Sequence, residues 1–204
     1  MSVQRLKFKP AQSPYTHHVL VDELEDADFE ILEKHSSERV LSLHYAPKKY
    51  QSLSFLESWK QLEDLRIYSC KFTDFSALKK TRKLKHVFIN GLRYKDPDLS
   101  FLASIKSLES FSLINATHLV KFPDLSACKK LRALSVDSCS RLTDIGSVQK
   151  IKSLRSLCVY QVPQLAPEDF VSIMRMKGLT TLEVGFRRVA ENERFQELLE
   201  SNRR

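Results

Sequence analysis

Glycine is scarce in this sequence, with four in 204 residues. A phosphate-cradling loop needs closely spaced glycines so that backbone N–H groups can approach the anion, and this chain has little material for one. Cysteine is equally sparse. Cys70, Cys128, Cys139 and Cys158 form no C-x-x-C pair, which argues against a zinc site or a disulfide framework and suits a reducing compartment. No apolar run approaches the ~18 residues that a membrane-spanning helix needs. Met1 to Arg5 lead into charged and polar residues rather than an apolar signal core. A cytoplasmic location without membrane association is therefore expected, and the sequon Asn115-Ala116-Thr117 reads as a chance match.

Apolar residues make up 42 % of the chain, as in globular proteins, and the net charge is +8. That charge is uneven. Residues 1–37 carry seven acids and four bases, a net −3, which leaves +11 for the remainder. A basic surface of this kind suits an acidic protein partner, nucleic acid or an anionic membrane.

A repeat organises most of the sequence. Leu62-Glu63-Asp64-Leu65-Arg66-Ile67-Tyr68-Ser69-Cys70 reads L-x-x-L-x-I-x-x-C. The pattern returns at Leu84/Val87/Ile89, Leu108/Phe111/Leu113, Leu131/Leu134/Val136, Leu154/Leu157/Val159 and Leu179/Leu182/Val184, with a weaker first copy at Glu38/Leu41/Leu43. The copies start at 38, 62, 84, 108, 131, 154 and 179. Nine residues before the last six starts stand Leu53, Phe75, Leu99, Phe122, Ile145 and Phe170. Six before stand Leu56, Leu78, Leu102, Leu125, Val148 and Ile173, and three before stand Trp59, Thr81, Ile105, Cys128, Ile151 and Met176. Seventeen of these eighteen are apolar or cysteine, where random placement would give about eight.

Over residues 38–187 these motifs resemble the leucine-rich-repeat family, whose mark is L-x-x-L-x-L-x-x-N/C at a period of ~20–29 residues. Copies such as Leu142-Thr143-Asp144-Ile145 followed by Leu154 are similar to the short bacterial internalin-type repeat. The resemblance implies an α/β solenoid, with about seven parallel strands on a concave face and 3₁₀ or short helical segments on the convex side. One departure stands out. The ninth position holds Cys70, Leu92, Ala116, Cys139, Val162 and Arg187 rather than a run of Asn or Cys, so irregular turns are expected at repeats three, four and six.

Open solenoid ends need covers. Residues 1–37 are expected to form an N-terminal cap, with strands at Leu6-Lys7-Phe8 and His18-Val19-Leu20-Val21 and a helix from Asp28 to Lys34. Residues 38–188 form the repeats. Residues 189–204 form a capping helix, with Phe195, Leu198 and Leu199 on one face and Ser201 to Arg204 frayed. Asp96-Pro97-Asp98-Leu99 and Pro167-Glu168-Asp169-Phe170 read as helix starts.

Chemistry finds little support. His17-His18 sits in the cap and reads as solvated rather than metal-binding. Cys158 has no histidine in its own or the preceding repeat to serve as base. The adjacent acids Glu63-Asp64 do not make a glycosidase dyad, and an open concave sheet does not exclude water. No enzyme activity, cofactor, metal or small-molecule substrate is expected.

Binding is. The third, fifth, seventh and eighth positions of each copy should face outward, and like positions of successive copies should be neighbours roughly 4.8 Å apart. His44, Tyr45, Arg66, Tyr68, His86 and Phe88 therefore cluster at one end of the concave face, where Tyr and Arg are favoured interface anchors. Asn90, Ile114, Asp137, Tyr160 and Glu183 continue the face, Phe186 extends it, and Ser110, Ser112, Ala133 and Ser135 leave a trough. Two residues before the last six starts stand Lys60, Arg82, Lys106, Lys129, Lys152 and Lys177, a basic ladder along one edge. The expected function is a protein-interaction module, as an inhibitor or a toxin-neutralising immunity protein. An adaptor role, or nucleic-acid binding through the lysine edge, is the alternative.

Overall fold

The computed structural model describes residues 18–69 and 71–202. The expected strand at Leu6-Lys7-Phe8, the ninth-position Cys70, His17 and the terminal Arg203-Arg204 lie outside them.

Alternation within each repeat makes the strands. In copies two to six the first, fourth and sixth positions are apolar and buried, as with Leu62, Leu65 and Ile67, while the residues between point the other way. Eight parallel strands form one sheet in sequence order: β1 (Val19–Val21), β2 (Val40–Leu43), β3 (Asp64–Tyr68), β4 (His86–Asn90), β5 (Ser110–Ile114), β6 (Ala133–Asp137), β7 (Ser156–Tyr160) and β8 (Thr181–Gly185). The eighth strand beyond the expected seven is β1, which pairs directly with β2 and so continues the repeat sheet. Register is uniform. Asp64, His86, Ser110, Ala133, Ser156 and Thr181 stand side by side, as do Arg66, Phe88, Ser112, Ser135, Cys158 and Glu183.

The return limbs have a three-residue apolar period because they are built on i→i+3 hydrogen bonds. The Leu56 N–H donates to Leu53, Trp59 to Leu56 and Leu62 to Trp59, and the same series recurs at Leu78, Thr81 and Leu84 and at Val148, Ile151 and Leu154. The 3₁₀ segments are Ser54–Ser58, Ser76–Lys80, Ser100–Ser104, Gly146–Lys150 and Pro167–Phe170, the last running into α2 (Val171–Met174). Of the eighteen limb positions read from the sequence, all but Met176 are buried. The polar exception, Thr81, donates its hydroxyl to the Leu78 carbonyl at 2.7 Å.

Side chains two residues ahead fix where these segments begin. Asp74, Asp98 and Asp144 accept the N–H of Ser76, Ser100 and Gly146 at 2.8–2.9 Å, and these bonds hold all three carboxyls below the usual range. The helix expected from Asp96 thus starts at Ser100, with Pro97 ahead of it, whereas Pro167 does open its segment. The limb between β5 and β6 has turns in place of a 3₁₀ segment. In the other limbs the residue at position minus nine sits near φ −90° to −113°, ψ −6° to 23°. Pro123 follows Phe122 directly, and a proline disfavours that conformation in the residue before it.

The turns after the strands differ from expectation. The eighth position takes a left-handed backbone in every copy from the second to the sixth: Ser69 (φ 53°), Gly91 (93°), Asn115 (57°), Ser138 (54°) and Gln161 (50°). Its N–H continues the sheet ladder, from Ser69 to Asn90, Gly91 to Ile114, Asn115 to Asp137 and Ser138 to Tyr160. Repeats three and four therefore share the turn of repeat five, and repeat six shares its left-handed residue. The backbone satisfies itself, and the ninth position becomes an apolar plug: Leu92, Ala116, Cys139 and Val162 are all buried. Among the described residues, repeat three adds a second left-handed residue, Asp96.

At the ends, α1 (Asp28–Lys34) buries Leu32, and the Asp28 carboxylate accepts the Glu25 N–H at 2.7 Å. The last helix, α3 (Val189–Asn202), buries Phe195 against Phe170 and Phe186. Its end is not frayed at Ser201 and Asn202. The Ser201 hydroxyl donates to the Glu197 carbonyl, and Asn202 Oδ1 accepts from Arg175 Nε at 2.9 Å.

Candidate functional site

Uniform register turns single positions into rows across the sheet. The seventh-position row begins with His44, Tyr68 and Asn90, and the fifth-position row contributes Phe88. The His44 and Tyr68 rings are 4.8 Å apart edge-on, and Tyr68 and Phe88 are 4.9 Å apart, so three rings form one ladder across β2 to β4. Tyr45 follows His44 and is 43 % exposed. His44 Nδ1 lies 3.3 Å from Asp22, and His86 Nδ1 2.8 Å from the Ser110 hydroxyl. Arg66 forks onto Asp64, with Nε and Nη2 at 3.2 and 2.7 Å.

At the β2–β4 end of the rim, charge is paired. Glu63 accepts from Arg39 Nε at 2.9 Å and from Lys85 Nζ at 3.0 Å, one cation on each neighbouring strand. The Arg39 guanidinium, helped by Lys85, holds the buried Glu63 carboxyl down at about 2.

The face is not open along its whole length. Leu20, Val40 and Ser42 point outward from the sheet, yet are buried, and the Ser42 hydroxyl bonds to the buried His18 Nε2 at 2.7 Å. Val40 and Ser42, expected at the accessible surface, are therefore withdrawn from it, and so is Asp64. Accessible concave positions run from His44 and Tyr45, at the end of β2, through β3 and onward. Ser110, Ser112, Ala133 and Ser135 give the middle strands small, half-buried side chains between the rings and the far end. Ile114 and Asp137 are likewise half-buried, and Asn90 Oδ1 accepts from Asn115 Nδ2 at 2.9 Å.

At the far end the Tyr160 hydroxyl donates to the exposed Glu183 carboxylate at 2.6 Å, which pushes the phenol up to about 12. The ring lies over Gly185, where a Cβ would come within 2.7 Å of it. Phe186, expected to extend the surface, packs inward against Phe170 and Phe195 and belongs to the end cap. Cys158 stands beside Glu183, and burial together with that carboxylate raises its thiol above the ordinary value. The arrangement therefore disfavours a thiolate. Among the described residues no three His, Cys, Asp or Glu side chains gather as a metal site requires. Nor is any helix there long and apolar enough to cross a membrane.

The edge residues Lys60, Arg82, Lys106, Lys129, Lys152 and Lys177 are all exposed, and none forms an ion pair among the described residues. Lys106 and Lys129 each close the turn before them, donating to the Ala103 and Ser126 carbonyls at 2.9 and 2.8 Å.

No protein-family model and no curated protein matches the chain. Among solved structures it is similar to internalin C2 of Listeria monocytogenes, at 15 % identity and a TM-score of 0.49 over 72 % of this chain and 63 % of that one. It is also similar to an internalin (inlF) of the same organism, at 17 % identity and 0.32 over 81 % and 67 %. A third is the plant peptide hormone receptor RGFR1 in complex with RGF2, at 12 % identity and 0.49 over 81 % and 31 %. The chain thus spans less than two thirds of the internalin C2 and receptor chains. In-register strands at a period of about two dozen residues, 3₁₀ return limbs and one continuous core give the architecture by themselves: the chain is a leucine-rich-repeat solenoid.

Proposed function

We propose that this protein is an interaction module that seats a protruding element of a protein partner on its concave face. The observation that carries the reading is the layout of that face. An aromatic ladder stands at one end, a Tyr160–Glu183 pair at the other, and a floor of serines and alanine lies between them. Large anchors flanking a low trough are what a projecting loop or helix needs, since most interface energy comes from a few well-packed aromatic and Arg contacts. The finer form of the proposal is an inhibitor or toxin-neutralising immunity protein. A stacked array held by one core is preorganised, so it can occlude a partner's site without first being ordered. Cys128, Cys139 and Cys158 are unpaired thiols, which supports a reducing, cytoplasmic setting.

The test is affinity capture with the full chain as bait, comparing it with Ser112→Arg/Ser135→Arg, which fills the trough, and Lys71→Gln/Lys95→Gln on an exposed turn edge. Loss of a captured protein with the first variant and retention with the second supports the concave site. Equal capture by both removes it.

A further inference from the structure

Six cations on one edge, none of them in an ion pair among the described residues, point to a second ligand separate from the partner on the concave face. Lys60, Arg82, Lys106, Lys129, Lys152 and Lys177 occupy the same place in six successive copies, just after the return limb and before the strand. Because the strands pair without any register slip, these positions line up. At roughly 4.8 Å per strand the row is about 24 Å long. Lys83 and Lys130 reinforce it, each following a ladder cation and each exposed. Two acids stand three residues after ladder cations: Glu63, which is already engaged by Arg39 and Lys85, and Glu109.

At the end of the row the surface becomes concave. A cavity of about 420 Å³ is lined by Lys152, Arg175 and Lys177 together with Ser172, Gln149 and the Gly178 backbone. Arg175 is held in place by Asn202, which accepts from its Nε. Three cations, a hydroxyl and an amide around one hollow make a receptor for a multiply oxygenated anion.

The chemistry of the row separates candidate ligands. A protein interface wants apolar and aromatic anchors. The exposed large apolar residues of the described chain are Ile31, Tyr45, Val120, Tyr160 and Val189, and none lies on this edge. Five of the six ladder cations are lysines, which act as point charges rather than as forks for planar carboxylates. A line of evenly spaced point charges without anchors matches a polymer that repeats one charge along its length. We infer that the strand-entry edge binds the phosphate backbone of a nucleic acid, without sequence readout, and that the Lys152–Arg175–Lys177 hollow holds one phosphate.

Fluorescence anisotropy with a labelled 20-nucleotide single strand tests this with the full chain across a salt series. Six lysine or arginine contacts predict a log–log slope near −4, at about −0.7 per phosphate contact on single strands. Replacing Lys106, Lys129 and Lys152 by Gln should bring the slope to about −2 and weaken binding at low salt by tenfold or more. Lys71→Gln/Lys95→Gln/Arg141→Gln removes the same charge from the opposite edge, where all three are exposed, and should leave the slope near −4. Circular dichroism checks that each variant is folded. Equal losses in the two triple variants would show that net charge alone matters and would overturn the inference. So would poly-glutamate competing as well as the oligonucleotide, or binding to phosphatidylserine vesicles with none to the oligonucleotide.

Discussion

The apolar plug at the ninth position yields a prediction against the family pattern. Leu92 stands where leucine-rich repeats carry Asn or Cys, and Leu92→Asn would restore that side chain. The structure argues that it harms the protein. Leu92 is 2 % exposed, and the turn around it is already satisfied, with the Gly91 N–H donating to the Ile114 carbonyl at 2.9 Å. Removing a fully buried leucine forfeits about 1.5–3 kcal/mol of burial. Placing an amide in its stead adds about 1–3 kcal/mol of desolvation, offset by about 1 kcal/mol if it finds one hydrogen bond. The net cost is about 2–4 kcal/mol, which for a chain of this size lowers Tm by roughly 5–15 °C. Leu92→Ala, at about 2–3 kcal/mol, isolates the cavity from the amide. Urea unfolding followed by circular dichroism, with thermal melts on the same samples, gives both numbers. The reasoning requires Leu92→Asn to be at least as destabilising as Leu92→Ala. An asparagine variant more stable than the alanine one would mean that backbone groups in this turn lack partners and accept the amide, and the account of the turn would be wrong.

Other outcomes follow from the same geometry. Gly185→Val should displace the Tyr160 ring and break its bond to Glu183, returning the phenol from about 12 toward its ordinary value in an ultraviolet titration; an unmoved titration would refute the packing. Glu63, held at about 2 in the folded chain against 4.5 for a free carboxyl, stabilises the fold above pH 4.5 and loses that contribution as pH falls toward 2. Arg39 is half-exposed and Lys85 more than a third, so screening leaves about 1–2 kcal/mol, and Glu63→Gln should remove it at pH 7 while narrowing the difference from the parent chain at pH 3. Asp144→Ala removes the acceptor for the Gly146 N–H and the partner of Lys121, at a cost of about 1 kcal/mol by urea unfolding, with Asp144→Asn costing less.

The basic edge and the aromatic ladder were both legible before any coordinates. Each is one repeat position read down the copies, and in-register stacking carries a column of sequence into a row of neighbours. The Asp residues at 74, 98 and 144 form a recurring acid ten residues before a repeat start, and they rather than Pro97 set where the 3₁₀ segments begin. What a single repeat could not disclose is how far its outward residues are covered. Val40 and Ser42 obey the outward pattern and are nonetheless buried.

The sequence alone settled the coil, its register and the inward set, because these follow from local periodicity: two along a strand, three along a 3₁₀ limb, about two dozen between turns. Tertiary structure alone decided how the turns close, which outward positions stay accessible, and which charges are already paired. Turn closure depended on a left-handed residue whose N–H reaches the next copy. Accessibility and pairing depend on neighbours two dozen residues away or in the caps, and one copy's own period says nothing about them. Phe186 shows the difference: its position in the repeat points it toward the surface, and the end helix draws it half-buried against the core.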